Sequence, residues 1–551
     1  MTLLKQLTLC TLLASLAACG QLHPNTRTEA IADYGSRIGF FNGSAEGRQN
    51  SAPPLGLGHP QSKFIGIIAP PTAEYTAPIQ NTERYGKIDT NPVHAVAQAP
   101  VSTFSIDIDT GSYTNTRRFL NQGRLPPVDA VRVEELVNYF DYHYPLPSGD
   151  APFSVHTTTV DSPWQKNAKI IKIGIQAKDI AAQQLPPANL VFLVDVSGSM
   201  NSHDKLPLVK QTLRLLTEQL RPQDKVTLIT YASGEKLVLP PTSGSHKQTI
   251  LRAINELSAG GATAGEQAIQ LAYQMAEKNH IKHGINRILL ATDGDFNVGI
   301  TNFDTLKGMV AQKRQNGTSL TTLGFGTGNY NERLMEQLAD AGDGNYSYID
   351  GPEEAKKVLQ RQLSSTLATV AQDVKIQVEF NPATVKEYRL VGYENRLLKQ
   401  EDFNNDKVDA GDIGAGHSVT ALYEIIPAGQ KGWLDDSRYQ ATPLASGKAS
   451  EYAYVKLRYK LPGQSTSKLL SHAVPAISQP LNRADGDTRF AVAVAAYGQQ
   501  LRGGQYNGDM GWPAIIALAQ NAQQPDEYGL RAQLVDLAKI AQSLSARHNR
   551  E

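Results

Sequence analysis

Asn189–Met200 reads NLVFLVDVSGSM, and this stretch decides the fold. Its first half is an unbroken apolar run ending in an acid. A strand with both faces covered has that texture, because neither side meets water. Its second half is Asp195-x-Ser197-x-Ser199, three short oxygen side chains in a turn directly after the strand. Reading outward, helical segments alternate with the further apolar runs KVTLITYA, RILLATD, SLTTLGF and NYSYI. Alternation of this kind predicts an α/β unit over 186–370 with a doubly wound, mostly parallel sheet. In such sheets ligands bind beyond the carboxyl ends of the strands, where the strand order reverses.

Two more oxygen-bearing residues fall at comparable positions. Thr263 lies in the glycine-rich AGGATAG, and Asp293 ends the strand RILLATD. Asp195, Ser197, Ser199, Thr263 and Asp293 offer oxygen alone, a donor set suited to a hard divalent cation. Any one of these serines would more commonly cap a turn. Five such residues in order, each at a strand end or loop, point to a site.

On those residues the chain resembles the von Willebrand factor A domain and its metal-ion-dependent adhesion site. The resemblance implies direct ligation by Ser197 and Ser199, with Thr263 binding directly or through water. Asp195 and Asp293 would act largely through water. The implied ion is Mg2+ first, with Ca2+ or Mn2+ as alternatives. Neutral hydroxyls leave such an ion residual charge and an open position, which the Glu or Asp of a protein partner can fill. Farther afield, STFSIDIDTGSY, RRFLNQGRLPPVDAVRVEELVNYFDYHYP and DFNNDKVDAGDIGAGH resemble the YfbK-type bacterial lipoproteins.

Flanking the A-type unit, residues 100–185 read as a small α+β domain. In it Phe104, Ile106 and Ile108 alternate with Ser105, Asp107 and Asp109 as on a half-buried strand. Asp107 and Asp109 then share a solvated edge face, with a second cation site as the lesser alternative. Residues 371–480 carry antiparallel-type strands suggesting a sandwich. Residues 481–551 are helical, with one apolar stripe through Phe490, Val494, Tyr497 and Leu501. A second runs through Leu530, Leu534, Leu537, Ala541 and Leu544. Asp402, Asn404, Asp406 and Asp412, with Asp409 between, resemble a dockerin-like Ca2+ loop. The loop lacks that pattern's glycine, and an acidic surface turn is the simpler expectation. Gly324, Gly326 and Gly328 have the wrong spacing for a dinucleotide loop and predict a tight turn. His280 and His283 are expected in solvent.

The chain has 551 residues, 40% of them hydrophobic, and only two cysteines, Cys10 and Cys19. Its start, MTLLKQLTLCTLLASLAACG, has the layout of a signal peptide over 1–18. Leu16-Ala17-Ala18-Cys19 resembles a bacterial lipobox, which implies acylation of Cys19 and membrane attachment through lipid. By resemblance to Gram-negative lipoprotein sorting, Gly20 after that cysteine implies the outer membrane, facing the periplasm, over the inner membrane. Residues 19–99, rich in Gly and Pro, read as a flexible tether. Lys+Arg and Asp+Glu both number 53, and residues 187–370 carry 18 of each. That balance argues against nucleic acid as a partner.

The expected function is therefore an envelope-anchored binding protein, not an enzyme, whose cation captures an acidic side chain of a protein partner. A metal-dependent hydrolase with Asp195 as nucleophile is the alternative. Against it, the second acid of a phosphoryl-transfer pair is replaced by Ser197. A structural lipoprotein with a vestigial site is the third reading.

Overall fold

In a computed structural model, residues 83–548 are described, except for 264, 295–302, 362, 436–448, 523 and 527. The signal segment, Cys19 and most of the tether lie outside these residues.

Ala188–Asp195 is a central strand whose eight residues are all buried. The reason is two-sided cover. Leu190, Phe192 and Val194 pack with Leu206, Val209 and Leu213 of helix Leu206–Gln219. Val191 and Leu193 face the opposite core, with Ala268, Ile269 and Ala272 of helix Glu266–Lys278. The six-stranded sheet has the order Tyr346–Ile349, Ser319–Phe325, Ile285–Thr292, Ala188–Asp195, Lys225–Tyr231, Glu235–Ser243. All pairings are parallel except the last. The antiparallel Glu235–Ser243 is absent from the sequence reading. Its Pro240 and Pro241 break strand periodicity, and an edge strand tolerates them because no further neighbour needs their missing N–H groups. From Ala188–Asp195 the chain builds to one side, then returns to the other at Ile285–Thr292. Asp195 and Asp293 therefore stand at the reversal of strand order.

The sandwich is present, but it is not made from residues 371–480 alone. One antiparallel sheet runs His94–Ala95, Val385–Val391, Ser418–Pro427, Lys169–Ala177, Phe153–Asp161. The other contains Ile413–Gly414, Thr369–Phe380, Glu451–Lys460 and Lys468–Pro475, with Val101–Ser105 added to Thr369–Phe380. Phe104, Ile173, Val378, Tyr423 and Val455 share the core between them. The separate 100–185 domain is thus corrected: its strands complete a sandwich begun nearly 200 residues later. Lys169–Ala177 pairs with Ser418–Pro427 continuously from Lys169↔Ile425 to Gln176↔Ser418.

The terminal helices behave likewise. Gly111–Asn121, Val133–Asn138, Gly486–Leu501, Trp512–Asn521 and Leu530–His548 form one cluster around Tyr113, Leu136, Phe490, Tyr497 and Leu534. Every residue from Phe490 to Tyr497 is buried, so that helix is enclosed all round and the stripe is only part of its buried surface. The tether also ends earlier than 99. Arg84 bridges to Asn331, and His94–Ala95 pairs with the strand Val385–Val391. Among the described residues no helix is long and apolar enough to cross a membrane.

Candidate functional site

Asp195 closes the central strand and is fully buried. Both of its oxygens are engaged: the Ser197 amide donates to Oδ1 at 2.9 Å and the Thr292 hydroxyl to Oδ2 at 2.9 Å. Burial pushes its carboxyl up to about 6, an effect the Asp293 charge reinforces and these hydrogen bonds only partly offset. The bond from Ser197 folds the chain back on itself in an Asx-type turn, which opens the short 3-10 turn Gly198–Asn201. Ser197 and Ser199 hydroxyls consequently lie 3.0 Å apart, the first buried and the second exposed.

The glycine-rich loop is tied to this turn by two backbone bonds, Gly260 N–H to Val196 O at 2.7 Å and Gly198 N–H to Gly261 O at 2.9 Å. Gly261 adopts φ +89°, and a Cβ there would meet the Ser233 hydroxyl at 2.6 Å. Thr263 follows two residues later, half-buried. Asp293 comes from the neighbouring strand end and is fully buried. Burial alone would raise its carboxyl. The Lys205 charge, with hydrogen bonds from Asn329, Ser199 and Lys205, outweighs that and holds it below the ordinary value.

Hydrogen bonds thus join Asp195 to Ser197, Ser197 to Ser199 and Ser199 to Asp293, and Thr263 stands on a loop fastened to the same turn. A hard divalent cation fits this donor set, which has two carboxylates and otherwise hydroxyls. Among the described residues no group of three His, Cys, Asp or Glu side chains able to hold a metal occurs. A hydroxyl-rich site with two acids lies outside that pattern.

Sequence reasoning missed three participants. Thr292 adjoins Asp293, and its hydroxyl, not just its β-branched shape, is what the site uses. Asn329 lies in the GFGTGN turn, where Gly326 and Gly328 have φ of +77° and +94°, so the tight turn is as expected. Lys205 precedes helix Leu206–Gln219 and reads as an ordinary helix-start lysine, yet its Nζ reaches Asp293 Oδ2 at 2.9 Å.

The other candidate acids have different fates. Asp107 and Asp109 are buried and paired with Arg396 at 3.3 and 2.9 Å, which corrects the solvated edge face. The strand there is Val101–Ser105 and ends before both. In the 402–412 loop, Asp402 lies in a 3-10 turn and Asn404 is exposed. Asp406 accepts from Arg458 and Ser467, and Asp409 pairs with Arg314. Asp412 accepts from Gln372 and the Asp373 amide. Asp406, Asp409 and Asp412 therefore serve separate protein donors. His280 and His283 are exposed.

Fold and site together define a von Willebrand factor type A domain protein. Residues 190–295 match the von Willebrand factor type A domain model, and residues 79–172 match a model described as von Willebrand factor. Domains of this type generally mediate protein interactions and bind a divalent metal. Residues 365–544 match the model of the YfbK C-terminal region. Uncharacterized protein YfbK of Escherichia coli (strain K12) is 49% identical over 474 residues, spanning 84% of this chain and 82% of its own. The chain belongs to the YfbK family. An uncharacterized protein of Synechocystis is 26% identical over 314 residues, 56% of this chain and 70% of its own. A solved von Willebrand factor type A protein from Catenulispora acidiphila covers 70% of this chain and 88% of its own, at 15% identity and a TM-score of 0.38.

Proposed function

We propose that this protein is a cell-envelope binding protein, lipid-anchored through Cys19. Its A domain holds a divalent cation, Mg2+ first, and through it captures a Glu or Asp side chain of a protein partner. Ser197, Ser199 and Thr263 would hold the ion, with Asp195 and Asp293 behind them. The observation that carries the reading is the adjacent pair of serine hydroxyls at the strand-order reversal, one buried and one exposed, backed by two buried acids. Bound there, the cation supplies positive charge to an incoming carboxylate. The chain's own residues do the rest: Thr292 and the Ser197 amide fix Asp195, and exposed Ser199 leaves the approach open.

Binding rather than hydrolysis is supported by the state of Asp195. A nucleophile needs a free oxygen facing a substrate, and both oxygens of Asp195 are buried acceptors. The test uses the full-length protein. Envelope proteins retained on it in Mg2+ should be released by EDTA and not retained by Ser199→Ala, and a fatty-acid label should be lost in Cys19→Ala. Retention unchanged by EDTA would overturn the metal reading, and an unaltered label would overturn the anchor.

A further inference from the structure

The ammonium of Lys205 is built into the site. Its side chain is 8% exposed, and Nζ lies 2.9 Å from Asp293 Oδ2 and 2.9 Å from Asn329 Oδ1. Asn329 Nδ2 donates to the same Asp293 oxygen at 3.0 Å, closing a triangle. The path of the lysine is also prepared. Its stem crosses Gly326 so closely that a Cβ there would lie 2.3 Å from Lys205 Cγ and 2.4 Å from Cε. Its carbonyl accepts the first bond of helix Leu206–Gln219 from Val209 N–H at 2.9 Å, which anchors the backbone. A surface lysine would trade this arrangement for water. This one is held against the acid at the heart of the oxygen cluster.

We propose that Lys205 is an internal counter-cation that lowers the site's affinity for a free divalent ion and raises its affinity for the partner carboxylate. This deepens the reading above and rests on it. Two acids and one ammonium leave the cluster with a single formal negative charge when both acids are ionised. Lys205 thereby repels an incoming cation and leaves more of a bound cation's charge uncompensated. An external carboxylate then supplies what the protein withholds, so ion and anion bind with positive coupling, each tightening the other. With Asn329, Lys205 also acts as a positioning residue, fixing one oxygen of Asp293 through two bonds while Ser199 bonds the same side chain.

The experiment is calorimetric titration of the full-length protein with MgCl2 and with MnCl2, in the presence and absence of saturating acetate. Lys205→Met keeps the stem and removes the charge. It should bind either cation at least tenfold more tightly than wild type and lose most of the enhancement by acetate. Lys205→Arg should stay within about threefold of wild type. Lys205→Gln keeps a hydrogen-bond donor and removes the charge, and should tighten binding as well, so it decides the matter if Lys205→Met does not fold. Cation affinity equal to or below wild type in a folded Lys205→Met or Lys205→Gln would overturn the proposal and leave the metal reading standing. Binding to none of the proteins would overturn both. Binding to the two charge-removing variants and not to wild type would support the strongest form, in which the ammonium excludes the free ion.

Discussion

Two charged regions of this molecule solve opposite problems. In the oxygen cluster at the carboxyl edge of the parallel sheet, two buried acids meet one lysine and four hydroxyl-bearing residues, and the exposed Ser199 opens to solvent. In the second region, where residues 107–135 and 396 meet helix Glu332–Ala341, six carboxyls are buried: Asp107, Asp109, Glu134, Glu135, Glu332 and Glu336. Two arginines serve them. Arg132 reaches Glu336 at 2.8 Å, Glu135 at 3.2 Å and Glu332 at 3.9 Å. Arg396 reaches Asp107, Asp109 and Glu336 at 2.9–3.3 Å. The first region keeps a near balance, two acids against one lysine. The second has more acid than base, and burial leads it to keep protons instead: Glu134 and Glu332 are both pushed up to about 8. Buried acids are therefore common to both regions, and the exposed hydroxyl of Ser199 distinguishes the first.

The largest test of that contrast removes an arginine. Arg132→Met leaves buried carboxyls without their counter-charge and should cost about 3–5 kcal/mol in urea unfolding, whereas Lys205→Met, which frees one acid for a cation, should cost less and be offset by Mg2+. Next comes pH. Glu134 and Glu332 have native values above those of the unfolded chain. Their stabilisation is complete below about pH 4.3 and is lost as the pH rises through about 8. One proton kept over two pH units is worth about 3 kcal/mol, so unfolding midpoints should fall between pH 6 and 8. Glu332→Gln should flatten that slope. A smaller effect belongs to the oxygen cluster. Mg2+ at some thirtyfold above Kd should add about 2 kcal/mol to wild-type stability and nothing to Ser199→Ala. The smallest is Gly326→Ala, expected to cost about 1 kcal/mol for a residue at φ +77°. Because the new methyl displaces the lysine stem, it should tighten Mg2+ binding in the same direction as Lys205→Met.

These regions were not equally legible. DVSGSM is local: its turn geometry follows from a hydrogen bond spanning two residues, so Asp195, Ser197 and Ser199 could be placed from the chain alone. FSIDIDT misled because alternation records only which residues are apolar. Arg396, nearly 290 positions away, makes Asp107 and Asp109 buried ion-pair members instead of solvated edge residues. Lys205 was invisible for the same reason, since Asp293 lies 88 residues further on.

By itself the sequence determined the five parallel strands of the central sheet and the oxygen-bearing turn after Asp195. Continuous apolar runs must be covered on both faces, and the turn after this one is set locally by the hydrogen bond from the Ser197 amide to Asp195. Only the tertiary structure decided how the remainder closes. Val101–Ser105 and Lys169–Ala177 need neighbours for their backbone groups and cover for their apolar faces, and strands from the far half of the chain supply both, while Phe153–Asp161 pairs locally with Lys169–Ala177. Periodicity tells each strand that it must pair. It carries no information about the partner, because pairing and charge compensation act through space between residues that are remote in sequence.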